Sequence, residues 1–360
     1  MSIHSYQIIG SKKSGGAERF FIRLCEALHA AGQPITAIAP PGSSIAQELH
    51  PDVPQYPIRM RAVWDPLARW QLNRAIRNGA PEIVQTWMGR ATRLVSLPHG
   101  KRPIHIARLG GFYDVKGYRH AHAWVGNTKG ICDYLVREGL PADRVFHISN
   151  FIEPAATPTP EQRTALRARR NIPQDAFVFF GAGRLHPNKG FADLLDAFAR
   201  LPADSHGRPL LLLIAGDGPL AAELHAQAAQ LNLDNRVIWA GWQEDIAPFY
   251  GLADAFVCPS VHEPLGNVLL EAWAHGLPLL STATDGAREL VTHEHNGLLV
   301  PCRDPIQLAH GMQELLALDD VARIALCQAG LTTLLASHGK AAVLNAYTDL
   351  YQRLVNTCAA

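Results

Sequence analysis

The 360-residue sequence lacks several signals, and each absence removes a class of function. No run of about 18 apolar residues occurs, so no membrane-crossing helix is expected. The amino-terminal stretch MSIHSYQIIG has no signal-peptide pattern. Together these set the expectation of a cytoplasmic protein, peripheral on the cytoplasmic face of a membrane at most. The six cysteines (Cys25, Cys132, Cys258, Cys302, Cys327 and Cys358) contain no C-x-x-C pair, which argues against a zinc ribbon or a disulfide framework. They read as small buried or half-buried thiols. No G-x-G-x-x-G opens the first helical pattern, which argues against a dinucleotide-dependent oxidoreductase. Charged residues make up only 18% and hydrophobic residues 48%, a balance that excludes bulk disorder.

What is present divides in two. Residues 1–150 hold 19 Lys+Arg against 10 Asp+Glu, a balance of +9, and residues 151–360 hold the remaining 14 against 22, a balance of −8. Such asymmetry suggests two domains with different partners. The basic half suits an anion: a phosphorylated acceptor, a lipid surface or nucleic acid.

Apolar runs alternate with helical patterns in both halves. In the first half the strand candidates are YQIIG, PITAIAP, EIVQTW, PIHIARL, AHAWVGN and VFHISN. The segment 150–160, NFIEPAATPTP, carries three prolines and reads as a linker. A second series follows: AFVFFGAGRL, RPLLLLIAGDGP, RVIWAG, AFVCPS and LPLLST. This alternation predicts α/β architecture: two doubly wound, Rossmann-like domains of parallel strands, facing a deep inter-domain cleft. The expected units are 1–150 and 151–340, with a last helix over 341–360 reaching back to the first domain.

Four loops after strands carry the chemistry. SGGAE, Ser14 to Glu18, places Gly15 and Gly16 before a helix, where a ligand can approach the backbone and an anion can meet free N–H groups. A purely structural turn explains it equally well. GRLHPNKGF places Arg184 and Lys189 across a turn, able to aim two cations at one diphosphate. AGDGP, from Ala215, reads as a structural turn. HEPLGNVLLEAWAHGLP places Glu263 and Glu271 eight residues apart, with Pro264 read as first-turn proline. On one ideal helix they would lie about 12 Å apart and about 80° around. That is too far for a carboxylate dyad on one bond, but it suits two ends of an extended polar ligand. Gly266 and Asn267, at the helix start, would offer backbone N–H groups to a phosphate between those ends.

These loops, with DGARELVTHEHNGLLV, resemble in order the motifs of the family 4 retaining glycosyltransferases of the GT-B fold, including their E-x7-E pattern. VQTWMGRATRL, ARLGGFYDVKGYRHAHAWVGNT and HISNFIE are similar to bacterial lipopolysaccharide-core and cell-surface polysaccharide transferases. The resemblance implies retaining transfer of a hexose-type sugar from a nucleotide sugar, UDP-linked by preference. The acceptor would be a hydroxyl of an anionic glycolipid or saccharide, without nucleic acid. It implies that Arg184 and Lys189 hold the diphosphate, Glu263 the sugar hydroxyls, Glu271 the ribose diol, and Gly16 the phosphates from the other domain. The sequence lacks D-x-D, so no metal and no cofactor are expected. It also departs from the family: ARLGGFYD has no His where members often carry one, and none of His99, His105, His120 and His122 falls there. Arg108, Tyr113 and Asp114 are the candidates for the acceptor side. Two other readings remain open, a nucleotide-sugar 2-epimerase-like enzyme and a non-catalytic nucleotide-sugar-binding protein.

Overall fold

Short apolar runs bounded by turn residues become the strands of two separate sheets in the computed structural model, which describes residues 3–12 and 15–357. The first sheet contains β1 (Ser5–Ile9), β2 (Ile35–Ile38), β3 (Ile83–Trp87), β4 (Ile104–Leu109), β5 (Ala123–Gly126) and β6 (Val145–His147). All pair in parallel, in the order β2-β1-β3-β4-β5-β6. Every residue of β1, β3, β4 and β5 is buried, as a parallel sheet covered on both faces requires.

The second sheet contains β7 (Phe177–Ala182), β8 (Asp204–Ser205), β9 (Arg208–Ala215), β10 (Val237–Gly241), β11 (Ala255–Cys258), β12 (Leu279–Thr282) and β13 (Leu298–Val300). Its order is β10-β9-β7-β11-β12-β13, parallel throughout, with β8 antiparallel to β9. The two-residue β8 and three-residue β13 lie outside the strand candidates of the sequence. At the amino end of β11, Asp254 accepts from Arg167 at 2.7 Å, Arg163 at 2.8 Å and the backbone of Val178 at 2.8 Å. Arg167 also donates to the carbonyls of Leu252, Gln174 and Ala176, so its buried charge is fully engaged.

The chain divides into one unit of Met1–Phe151 with Gly339–Ala360 and another of Ile152–His338. Residues 152–159 have neither helix nor strand, and the helix Pro160–Ala168 then starts with a capping box between Thr159 and Gln162. The last helix, Lys340–Thr357, belongs to the first unit. It buries Val343, Tyr347, Leu350, Tyr351, Leu354 and Val355, the i, i+4, i+7, i+8 stripe of one face, into the core around Phe20, Trp87 and Ile106.

Polar groups pin this helix as well. The Tyr351 hydroxyl accepts from Gln7 at 3.0 Å and donates to Gln85 at 3.0 Å, while the Trp87 indole donates to Gln7 at 3.0 Å. All four side chains are buried. Tyr351→Phe leaves Gln7 and Gln85 each one partner short in a buried site, so a loss of about 1–3 kcal/mol is expected, read as a lower urea midpoint for the first unit.

Candidate active site

The order of the second sheet reverses at β7. The chain runs from β7 outward to β9 and β10, then crosses back to β11 on the other side of β7. Loops leaving β7 and β11 at their carboxyl ends therefore flank a switch point, where open α/β sheets bind ligands. The two loops are joined through their backbones. After β7, a single 3-10 turn Pro187–Lys189 ends at Gly190. Gly190 has φ +64, and a Cβ there would sit 1.9 Å from the Pro259 carbonyl oxygen. The Asn188 carbonyl accepts from the N–H groups of Val261 at 2.8 Å and His262 at 3.2 Å.

This joining brings Lys189 and Glu263 into direct contact, the ammonium donating to the carboxylate. The pair is partly open to solvent, at 25% and 18% side-chain exposure. Arg184, in the same loop as Lys189, is exposed and makes no hydrogen bond or ion pair among the described residues. The loop after β9 supports that of β7 from the side. The N–H of Gly183 donates to Ala215 O and that of Leu185 to Asp217 O, both at 3.0 Å. Gly216 has φ +149, and a Cβ there would lie 1.8 Å from the Gly183 carbonyl oxygen, so the AGDGP turn works as a structural brace.

One expectation is corrected. Glu263 is not helical: the helix is Asn267–Ala274, and Pro264 lies before it. The ideal-helix separation of the two glutamates therefore does not apply. Gly266, in the left-handed region at φ +83, breaks the helical path. The Glu263 carbonyl accepts from Gly286 N–H at 3.0 Å, and Gly286 packs so closely that its Cβ would lie 2.4 Å from Leu265 O. The amino end of the helix Asp285–Leu290 thus fixes the Glu263 loop. DGAREL was visible as a motif, but its supporting role was not.

Glu271 does sit in the helix. Its carboxylate accepts from the Tyr250 hydroxyl at 3.0 Å. Tyr250 is 1% exposed and stacks on His275 with ring centroids 4.5 Å apart. Burial, then the charge of Glu271, pushes the Tyr250 hydroxyl well above its usual range, so it stays a donor. Sequence reasoning missed Tyr250; within APFYGL it reads as an ordinary apolar-face residue. Gly266 provides no side-chain cap to this helix, and Asn267 is its first residue.

In the first unit, Gly15 is the N-cap and Gly16 the first residue of the helix Gly16–Ala30, again without a side-chain cap. The Glu18 carboxylate folds back against Gly15. Ser14, which completes that motif, and Lys13 lie outside the described residues. Arg108 departs from its expected acceptor role. It is 3% exposed, donates to Tyr347 Oη at 2.9 Å and to Asn150, and stacks on Phe20 and Trp87 at 4.7 and 4.5 Å. Its guanidinium is spent inside the core. Tyr113 is half-buried and stacks on Tyr118 at 6.2 Å; burial, then the charge of Glu18, raises its pKa, with Arg108 opposing. Asp114 is exposed and caps the turn Val115–Gly117 through Lys116 N–H at 2.9 Å. Among the described residues, no group of three or more His, Cys, Asp or Glu is placed to hold a metal ion.

Two family models match the chain: Glycosyltransferase Family 4 over residues 14–156 and Glycosyl transferases group 1 over residues 162–325. The chain is 34% identical over 341 residues to the lipopolysaccharide core biosynthesis glycosyltransferase LpsE of Rhizobium meliloti, covering 94% of this chain and 96% of LpsE. LpsD of the same organism is 34% identical over 94% of this chain and 95% of its own. Among solved structures, a glycosyltransferase from Rickettsia africae superposes with TM-score 0.85 at 18% identity, over 98% of this chain and 99% of that one. Anabaena HepE, solved with UDP and glucose, gives 0.81 at 19%, over 98% and 100%. At these identities the likeness speaks for the fold, which is GT-B.

The contact between the loops is testable without substrate. Gly190→Ala forces a methyl into the Pro259 carbonyl at a left-handed backbone position. A loss of at least about 2 kcal/mol is expected, seen as a lower melting temperature.

Proposed function

From the premise that the chain belongs to the family 4 glycosyltransferases, we propose that it moves a hexose-type sugar from a nucleotide sugar, UDP-linked, to a hydroxyl of a lipopolysaccharide-core acceptor with retained anomeric configuration. The carrying observation is the Lys189–Glu263 contact at the switch point beside β7, with Glu271 held by buried Tyr250 on the helix that follows. The names of LpsE and LpsD support the acceptor class, and the UDP and glucose bound to HepE support the donor class.

The chemistry follows from charge. A nucleoside diphosphate leaving group gathers negative charge as the glycosidic bond to it breaks. Lys189 and Arg184 stabilise that charge, and the uncapped amino end of the helix Asn267–Ala274 adds its dipole. Lys189 cannot serve the diphosphate and Glu263 equally at once. Donor arrival draws the ammonium onto phosphate oxygens and releases the Glu263 carboxylate to accept from sugar hydroxyls. Glu271 accepts from the two ribose hydroxyls, its orientation set by Tyr250. The acceptor hydroxyl attacks the anomeric carbon on the face that the diphosphate leaves, and its proton passes to the departing phosphate oxygen. No protein nucleophile is required. Tyr113 and Asp114 remain on the acceptor side; Arg108 is withdrawn from that role.

The test is release of a nucleoside diphosphate from UDP-, GDP- and ADP-sugars with and without a core oligosaccharide acceptor. Lys189→Ala and Glu263→Ala should each lower kcat/KM by at least about 100-fold. Sugar alteration without acceptor, or an inverted product anomer by NMR, would refute the reading.

Tyr250→Phe should act differently. It leaves the reacting groups in place and loosens Glu271, so the donor KM should rise about 3- to 10-fold with kcat nearly unchanged, and the thermal shift given by UDP should shrink in parallel.

A further inference from the structure

The second unit turns an apolar stripe to solvent on one helix, Asp320–His338. Val321 is 78% exposed, Ile324 55% and Leu335 51%. Ala325, Gln328 and Thr332 are exposed with them. Counted from Gln328, the other five stand at −7, −4, −3, +4 and +7. On an ideal helix all five fall within about 60° of Gln328, so they form one stripe about 21 Å long. The opposite face buries Leu326, Gly330, Leu334 and His338. Gly330 fits so closely that a Cβ there would lie 2.4 Å from Trp273 Cδ1. The stripe is therefore presented by a helix clamped from behind.

Charge is almost missing from this helix. Its 19 residues include one acid, Asp320, and one arginine, Arg323. Asp320 lies at the amino end, outside the stripe. Arg323 is turned inward, donating to the Leu318 carbonyl at 3.5 Å with its guanidinium 5.5 Å from the Phe177 ring centre. The solvent face of a surface helix normally carries charged or polar side chains. An apolar stripe of four turns costs free energy in water that a covering partner removes. An open groove of about 610 Å³ adjoins the stripe, lined in part by Leu318, Ala322, Ala325 and Ala329 with the exposed acids Glu294 and Glu314.

The spacing fits a second copy of the chain. Reversing the helix about Gln328 maps Val321 onto Leu335 and Ile324 onto Thr332. Two antiparallel copies related by a two-fold axis then set Val321 against Leu335 twice and Ile324 against Thr332 twice. No like charges meet along the stripe. The two Gln328 amides meet at the axis, where each can donate to and accept from the other, and a single polar pair of this kind fixes register. A partner chosen by Glu294 and Glu314 would need basic side chains, and an uncharged stripe does not select for them.

We propose that the chain forms a homodimer through this helix, paired antiparallel with its copy about a two-fold axis at Gln328. The inference is independent of the nucleotide-sugar reading and survives its failure.

Sedimentation velocity of the full-length protein at about 1–100 μM is expected to show a species of twice the chain's mass that gives way to monomer on dilution. Val321→Asp with Leu335→Asp should weaken association by at least about 10-fold. Both side chains are exposed, so far-UV circular dichroism should be unchanged, which separates lost pairing from lost folding. Register is read by cross-linking. Packed helices run about 8–10 Å apart, so a bismaleimide of about that span should link Gln328→Cys to itself and Val321→Cys to Leu335→Cys in a mixture. Val321→Cys alone leaves about 21 Å between its two thiols and should not link. The parent chain, with its own cysteines, is the blank. A chain monomeric throughout the range, wild-type association by the double variant, no linking of Gln328→Cys, or linking of Val321→Cys to itself would overturn the proposal. So would capture of neutral vesicles or a basic peptide on this face by a chain that stays monomeric.

Discussion

The reversal of strand order at β7 is the constraint on which the candidate site depends. Because β7 pairs with β9 on one side and β11 on the other, the loops after β7 and β11 start as neighbours while their following helices part. The gap between them is closed at its base by backbone alone, through Gly190 against Pro259 and the Asn188 carbonyl under Val261 and His262. Side chains 74 positions apart in sequence, Lys189 and Glu263, then meet above that base. No helix periodicity relates them; only the sheet order does.

The two glutamates differ in how firmly they are held, and the difference has a physical sense. Lys189 and Glu263 form a partly solvated pair on flexible stems. Such pairs contribute little net stability, because solvent screening offsets the attraction. A doubly charged phosphate group can displace Glu263 from Lys189 at small cost. Glu271 is different. Its partner is a phenol 1% exposed, wedged by the stacked His275 ring and unable to ionise at ordinary pH. One acid can exchange partners and the other cannot, which fits a site that must admit a ligand while keeping one end of it fixed.

Much of the architecture was legible because buried parallel strands advertise themselves. AFVFFGA and PLLLLIA are continuous apolar runs, and each emerges as a strand buried on both faces. The last helix was legible as a long helical stretch, and it buries Val343, Tyr347, Leu350, Tyr351 and Leu354 on one side. The two-residue β8 was not, and neither was β13. At the site, residue types could be read from the loops but their geometry could not. Placing Glu263 in a helix followed from the Pro264 position and failed because Gly266 turns left-handed and Gly286 holds the loop from elsewhere in the chain. Tyr250 escaped notice for a similar reason: a buried tyrosine has no sequence pattern that separates a core ring from a hydroxyl aimed at a carboxylate.

Charge is where counting residues misleads most, and the first unit shows why. Its excess of basic side chains suggests a uniformly cationic face. Several of those cations are instead engaged by the fold, and one, Arg108, is buried. Arg108 lies between Phe20 and Trp87, Arg90 donates to the Gly10 carbonyl at 2.8 Å, and Arg102 donates to Val355 at 3.2 Å in the closing helix. These guanidiniums satisfy carbonyls and rings, the work of a planar donor with a hydrophobic face. Arg108, being buried, is not available to a partner. The arginines that do reach solvent between Arg59 and Arg77 share their stretch with the most exposed indoles of the unit. Net charge therefore reports the wrong quantity. What selects a partner is the charge left over after the fold has taken its share, together with the apolar area beside it. By that measure Arg108 drops out of the count, while Lys12, Arg19, Lys101, Lys116, Arg119, Lys129 and Arg137 stay in it beside the arginines from Arg59 to Arg77.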